Sequence, residues 1–314
     1  MTNVALSPQR RKARALVFGV MALGLAELLL HVYHKKKSPN PEDWAQLVEP
    51  VRQEKHDGDV VVVAPAWAEP WARKTLGDRV FPMRDVARSD MSRYASALEI
   101  GMLGQTSPEA PGFREVSRTQ VGPFVLRRLE NPTYTPVTVD FVDRIAIGQA
   151  EVQTTDPEAR CLFNKTARII AGGLGGHPTF PVARFECPGS EFFNVSETVI
   201  ADQDFRPRRC IWAHPQAKGE VVIRFADVRL GSVLRGHGGM YWIIERDKPG
   251  APVYVNVRVN REDLGRYEHK DGDGWSAFEM PLGAHANATN AVVEFRISTP
   301  NYMHRHFCFE AHSQ

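Results

Sequence analysis

The run Ala15–Tyr33, ALVFGVMALGLAELLLHVY, most constrains what this chain can become. It holds 19 residues with one acidic side chain, Glu27. A helix needs about 20 apolar residues to cross a bilayer. Arg10, Arg11, Lys12 and Arg14 precede the run, Lys35, Lys36 and Lys37 follow it, and His31 and Tyr33 suit the interface. Residues 15–33 are therefore expected to form the single transmembrane helix, with 1–14 a basic cytoplasmic tail. The flanking positive charge is nearly balanced, slightly richer before the helix, and the four cysteines beyond it tip the expectation to an N-terminus inside. A cleaved signal peptide competes. Its small-residue site, Gly24-Leu25-Ala26, would leave LLLHVY at the new terminus, so a retained anchor is preferred. Glu27 is near enough to the outer end to snorkel toward Lys35. Alternatively, with the small residues Gly19 and Gly24, it faces a membrane partner.

After the linker Ser38-Pro39-Asn40 the pattern is soluble. Pro41 suits a first helical position, and Trp44, Leu47, Val48 and Val51 recur at helical spacing, predicting one amphipathic helix over 41–54. His56-Asp57-Gly58-Asp59 makes a turn, and Val60–Val63 reads as a buried strand. A short helix over 66–77 closes at Gly77, and strands follow at 97–102 and 121–129. Residues 38–132 thus read as a small α/β module. Beyond Thr135, Val253–Asn260 puts four valines on one face, and Val221/Ile223/Phe225 and Val293/Phe295/Ile297 alternate likewise. Lys218-Gly219, Pro249-Gly250 and Asp271-Gly272-Asp273-Gly274 supply turns, so residues 135–314 are expected to form an antiparallel β-sandwich of jelly-roll type. The formal charge of +2 over 314 residues offers no basic field for nucleic acid.

Four cysteines, Cys161, Cys187, Cys210 and Cys308, form no C-x-x-C pair, which disfavours a zinc knuckle. An even number outside the membrane fits two disulfides in an oxidising compartment. Of three possible connectivities, 161–187 with 210–308 is preferred, because Cys210 opens the last β-rich block and Cys308 lies in its final strand.

Catalytic signatures are missing: no G-x-S-x-G, H-E-x-x-H, phosphate loop or dinucleotide fingerprint occurs. The run Gly172–His177 reads as a loop, Asp202-Gln203-Asp204 with Arg206–Arg209 as a surface salt-bridge cluster, and Asp271–Gly274 as a hairpin turn rather than a calcium loop. His304 and His306 would share a strand face, but no third metal ligand is identified. Trp212, His214, His237, Tyr241, Trp242 and Trp275 are the candidate ligand-binding residues, a platform on which sugar rings stack; core packing is the plainer role for any one tryptophan. No metal or cofactor is expected.

The string Pro41–Asp78, placed directly after a helix with basic flanks, resembles the extracytoplasmic tail of bacterial protein-mannosyltransferase-like polytopic glycosyltransferases, which use lipid-linked sugar donors. Asp43-Trp44 matches the helix, and Gly58-Asp59-Val60 the strand, that open this tail. Segments 206–215, 235–242, 272–280 and 305–311 resemble the β-sandwich that ends some of these proteins. The resemblance implies a bacterial inner membrane with the bulk of the chain periplasmic. The catalytic acidic residues of that family lie in a membrane-domain loop that has no counterpart here, so none is carried over. The expected function is a non-enzymatic accessory protein that binds a glycan or a protein. The rivals are a single-span structural subunit of a larger membrane complex, energy-transducing or photosynthetic, and a cryptic carbohydrate-active enzyme.

Overall fold

A computed structural model describes residues 8–155, 160–173, 176–216 and 219–314. Residues 1–7 of the expected tail, Leu174 and Gly175 of the glycine-rich run, and Lys218 of one expected turn lie outside the described residues. Helix α1 spans Pro8–Lys37. Its segment Leu16–Tyr33, with mean hydropathy 1.9 and nothing buried, is long and apolar enough to cross a membrane. A Cβ added at Gly19 or Gly24 meets no atom within 4 Å, and Glu27 is exposed. Whatever covers this helix is not the rest of the described chain.

Helices α2 (Pro41–Gln46) and α3 (Val48–Glu54) replace the single helix expected over 41–54. Pro50 explains the break: it lacks an N–H for the carbonyl of Gln46, and its ring clashes there. Asn40 caps α2, accepting from the Asp43 amide at 2.9 Å while the Asp43 carboxylate accepts from the Asn40 amide at 2.8 Å. Strand β1 (Val60–Ala64) is buried on both faces, as an all-valine run requires. Val61 and Val63 pack with Trp44, Leu47 and Val51, while Val60 and Val62 pack with Met91 and Leu129. A 3₁₀ turn over Ala66–Ala68 leads into α4 (Glu69–Leu76), which ends at Gly77 with φ +75°. Then come α5 (Met83–Val86), β2 (Ser96–Met102), β3 (Arg114–Val121) and β4 (Phe124–Glu130). Among the described residues these strands form a four-stranded sheet in the order β1-β2-β4-β3, with β1 parallel to β2.

The larger body is antiparallel. It comprises β5 (Val139–Asp140), α6 (Phe141–Ala146), β6 (Glu151–Thr154), β7 (Arg160–Asn164), β8 (Arg184–Glu186), β9 (Asn194–Ala201), β10 (Pro207–Ala213), β11 (Val221–Val228) and β12 (Val233–Met240). After α7 (Trp242–Asp247) follow β13 (Val253–Val259), β14 (Glu262–His269), β15 (Ser276–Pro281), β16 (Ala291–Ser298) and β17 (Phe307–Ser313). The strand order is β14-β13-β16-β11-β6-β7-β8-β9-β10-β17-β12-β15. Its two ends nearly meet, tied by Tyr267 Oη to Ser276 Oγ at 2.6 Å, giving a nearly closed, sandwich-like body. Val253, Val255, Val257 and Val259 point inward against Ile211, Phe307 and Phe309. Alternation sends Cys210, Trp212, Cys308 and Glu310 to the outer face.

That outer face is not solvent. Phe180 and Phe192, from the long connection between β7 and β9, cover Trp212. Both expected disulfides are present, Cys161–Cys187 and Cys210–Cys308, the second between neighbouring strands β10 and β17. Residues 270–274 form a turn, but it connects β14 to β15, which do not pair, so it is not the expected hairpin. Asp271 binds Arg305 and Asp273 accepts from the Lys270 amide, while Glu245 accepts from the Gly272 and Gly274 amides at 3.0 Å each. His304 lies in a turn before β17, so it shares no strand face with His306.

Candidate functional site

The segment 83–93 joins the two sheets. The Arg209 amide donates to Ala87 O (2.8 Å), Arg208 Nη1 to Arg88 O (2.7 Å), and Trp275 Nε1 to Ser89 Oγ (3.0 Å). Arg93 pairs with Asp140. Beside this seam opens a cleft of about 480 Å³. Trp67, Pro70, Met83 and Phe205 are among its lining residues. Trp67 is 62% and Phe205 63% exposed.

Charged groups that satisfy one another also line it. Arg88, buried, donates from Nε and Nη2 to Glu109 at 2.8 and 2.6 Å, and from Nη2 to Glu69 at 3.1 Å. Arg206 Nη1 reaches the other oxygen of Glu109 at 3.1 Å. Burial raises the Glu69 carboxyl above its ordinary value, with Arg88 opposing. Burial also works against the charge on Arg88, but Glu109 and Glu69 overcome it and its pKa stands above the usual. The cleft therefore presents fixed donors and acceptors together with aromatic faces.

Phe205 holds its place by an unusual turn. Asp202 Oδ1 accepts from the amides of Asp204 and Arg206 at 2.9 Å each, and Oδ2 accepts from Arg208 Nε at 2.7 Å. The D-x-D tripeptide thus forms the expected ion pair, but Asp202 is buried, not at the surface, because it also accepts the amides of its own turn. It forces Phe205 to φ +58°. A bulky aromatic in the left-handed region is uncommon and costs on the order of 1 kcal/mol. Such strain persists where the surroundings over-determine it, and here it aims an aromatic ring at solvent.

The six expected platform residues do not share one surface. Trp212 is fully buried, its Nε1 donating to Phe192 O at 2.9 Å: a covering connection makes it core, the plainer role, and not a platform residue. His214 is buried beside Trp212, Phe192 and Tyr302. Tyr241 is buried and donates to Gly173 O. His237 and Trp275 stack parallel at 6.4 Å under the seam, with His237 Nδ1 2.7 Å from Glu310. Burial opposes the charge on Glu310, yet hydrogen bonds from His237 and His312 prevail and hold its carboxyl below the ordinary range. Trp242 alone comes near the cleft, 4.9 Å from Phe205 ring to ring. Trp67 and Phe205 were missed because nothing local marks them; an aromatic directly after an acidic turn was the available sign for Phe205.

No protein-family model matches the chain, and no curated protein does. Among solved structures, the CBM51 module from Clostridium perfringens GH95, in complex with methyl-galactose, is 8% identical over 38% of this chain and 81% of its own, with TM-score 0.28. The CBM51-2 and INT domains of Clostridium perfringens ZmpB, with GlcNAc, are 9% identical over 65% of this chain and 41% of theirs, TM-score 0.33. A secreted serine protease, VesC from Vibrio cholerae, is 10% identical over 65% of this chain and 56% of its own, TM-score 0.24. Overlays this loose carry no argument about what the chain binds.

The buried histidines make stability depend on acid. Burial, with Arg305 and His304 adding repulsion, lowers His214 to about 4. Burial and the neighbouring His214 lower His306 to about 3. Unfolded, both titrate near 6.5, so the fold excludes protons that the unfolded chain takes up. Their stabilisation is complete above about pH 6.5 and is lost as pH falls, by about 2 kcal/mol each at pH 5. Denaturant unfolding at pH 7 and pH 5 will show this slope, and a His214→Phe/His306→Phe double variant will flatten it. An unchanged slope in that variant would contradict the assignment.

Proposed function

We propose that this chain is a single-span, membrane-anchored, extracytoplasmic protein that binds a glycan without catalysis. Residues 38–132 act as a small α/β module and 135–314 as a jelly-roll-like sandwich, with the binding cleft between them. Two disulfides fit an oxidising compartment. The tail resemblance supplies the setting, the periplasmic side of a bacterial inner membrane with the N-terminus inside.

The observation that carries the reading is the pair Trp67 and Phe205, two exposed aromatics that line one cleft together with the ion-paired Glu69, Arg88 and Glu109. Sugar rings offer an apolar face for stacking and hydroxyls for charge-assisted hydrogen bonds. Arg88 binds both carboxylates, which argues against a free acid–base pair.

Glycan-array binding by the full chain in detergent, followed by titration, tests this. Trp67→Ala and Phe205→Ala are each expected to weaken binding about tenfold or more, as central aromatic anchors do, with unfolding midpoints near the parent's. Parent-like binding by both variants would refute the site. Turnover of an activated glycoside, abolished by Glu69→Gln, would make the protein an enzyme instead.

A further inference from the structure

We propose that the outer face of α4, carrying Trp71 and Lys74, together with Trp67 in the 3₁₀ turn before it, rests on the headgroups of the bilayer that holds α1. The inference rests on the reading of α1 as a retained anchor. Only Ser38-Pro39-Asn40 separate α1 from α2, a span of at most roughly 14 Å when extended. The capping box at Asn40 starts α2 rigidly, with no further slack. α4 packs directly on α2, through the core that Trp44, Ala68, Ala72 and Leu76 share. One side of α4 is therefore spent on that core. The other carries Trp71 and Lys74, three apart and so on one helical face, with the exposed Trp67 one turn before them in the 3₁₀ segment.

That face is what an interface takes. Trp71 is 46% exposed although it is one of the largest apolar side chains. Lys74 Nζ lies 5.2 Å from its ring centroid. Tryptophan settles at headgroup depth, and a neighbouring lysine is drawn to anionic lipid. Lys35, Lys36 and Lys37 add positive charge where α1 ends. Since Trp67 belongs both to this face and to the cleft lining, the cleft opens beside the membrane surface and takes ligands presented from it.

The test uses the full chain reconstituted in phosphatidylethanolamine–phosphatidylglycerol vesicles, with a nitroxide on Trp71→Cys or, for comparison, on Val116→Cys. Position 116 is 49% exposed on β3. At 71, collisions with membrane-dissolved oxygen are expected to exceed those with a water-soluble nickel chelate, the reverse of 116. A label at 71 as wet as that at 116, in a chain that resists carbonate extraction, overturns the membrane contact and leaves the glycan reading intact. A chain that carbonate releases overturns the anchor and the contact together. Trp71 does not line the cleft, so glycan titration of the same variant reports on the binding site independently.

Discussion

Replacing Cys210 and Cys308 by alanine is expected to lower the stability of the chain by about 4–5 kcal/mol, the largest loss from any pair of substitutions considered. The bridge closes a loop of 98 residues, and in the chain-entropy view a loop near that length restrains the unfolded chain by about 4.7 kcal/mol. The shorter bridge, Cys161–Cys187, spans 26 residues and is worth correspondingly less, about 3.5 kcal/mol. Local packing acts in the same direction. Cys210 and Cys308 are fully buried among Phe180, Trp212 and Tyr241, so alanine also leaves space in a close-packed cluster. Denaturant unfolding of the two double variants, both under oxidising conditions, measures the difference. A 210/308 variant that loses under 1 kcal/mol, or less than the 161/187 variant, contradicts the account.

Arg88→Met should cost about 3 kcal/mol, because breaking a buried ion pair by removing one partner strands the other. Here Glu69 is stranded, and Glu109 keeps only the half-exposed Arg206. Glu69 and Glu109 are only 15% and 22% exposed and would face each other without the guanidinium between them. The carbonyl of Asp85 also loses its donor. The defect carries its own pH signature. Glu69 already stands above its ordinary pKa, and without Arg88 it rises further, so the variant regains stability as pH falls from 7 toward 5 and Glu69 takes up a proton. Adding Glu109→Gln should restore part of the loss at neutral pH. Thermal unfolding of the three proteins at both pH values is sufficient; an Arg88→Met loss that is equal at both would point to lost packing instead of stranded charge.

What the sequence revealed follows from how local its signals are. The apolar run of α1, the all-valine β1 and the alternation in β13 each announce themselves within a few residues. Disulfide pairing was accessible because Cys210 and Cys308 belong to early and late strands of one body. Expectation failed where burial depends on distant chain. β3 escaped notice because it is an edge strand exposed on both faces, with no alternation to read. Trp212 alternates onto the outer face, but the covering Phe180 and Phe192 come from a connection whose path no periodicity predicts. The cleft is the extreme case. Its lining comes from 66–73, 83–88, Glu109 and 204–208, four separated stretches that are individually ordinary. Arg88 looks like any surface arginine until Glu69 and Glu109 are brought to it.

The placement of β17 has a consequence for biogenesis. This strand is the last in sequence, yet it lies between β10 and β12. A chain synthesised from its N-terminus delivers β9, β10 and β12 long before residues 307–313 arrive. During that interval two strand edges flank an unfilled slot, and Cys210 has no partner. Unpaired edges recruit strands from other chains, and an unpaired thiol in an oxidising compartment recruits other thiols. A chain truncated before Phe307 should therefore run as mixed disulfides through Cys210 under oxidising conditions.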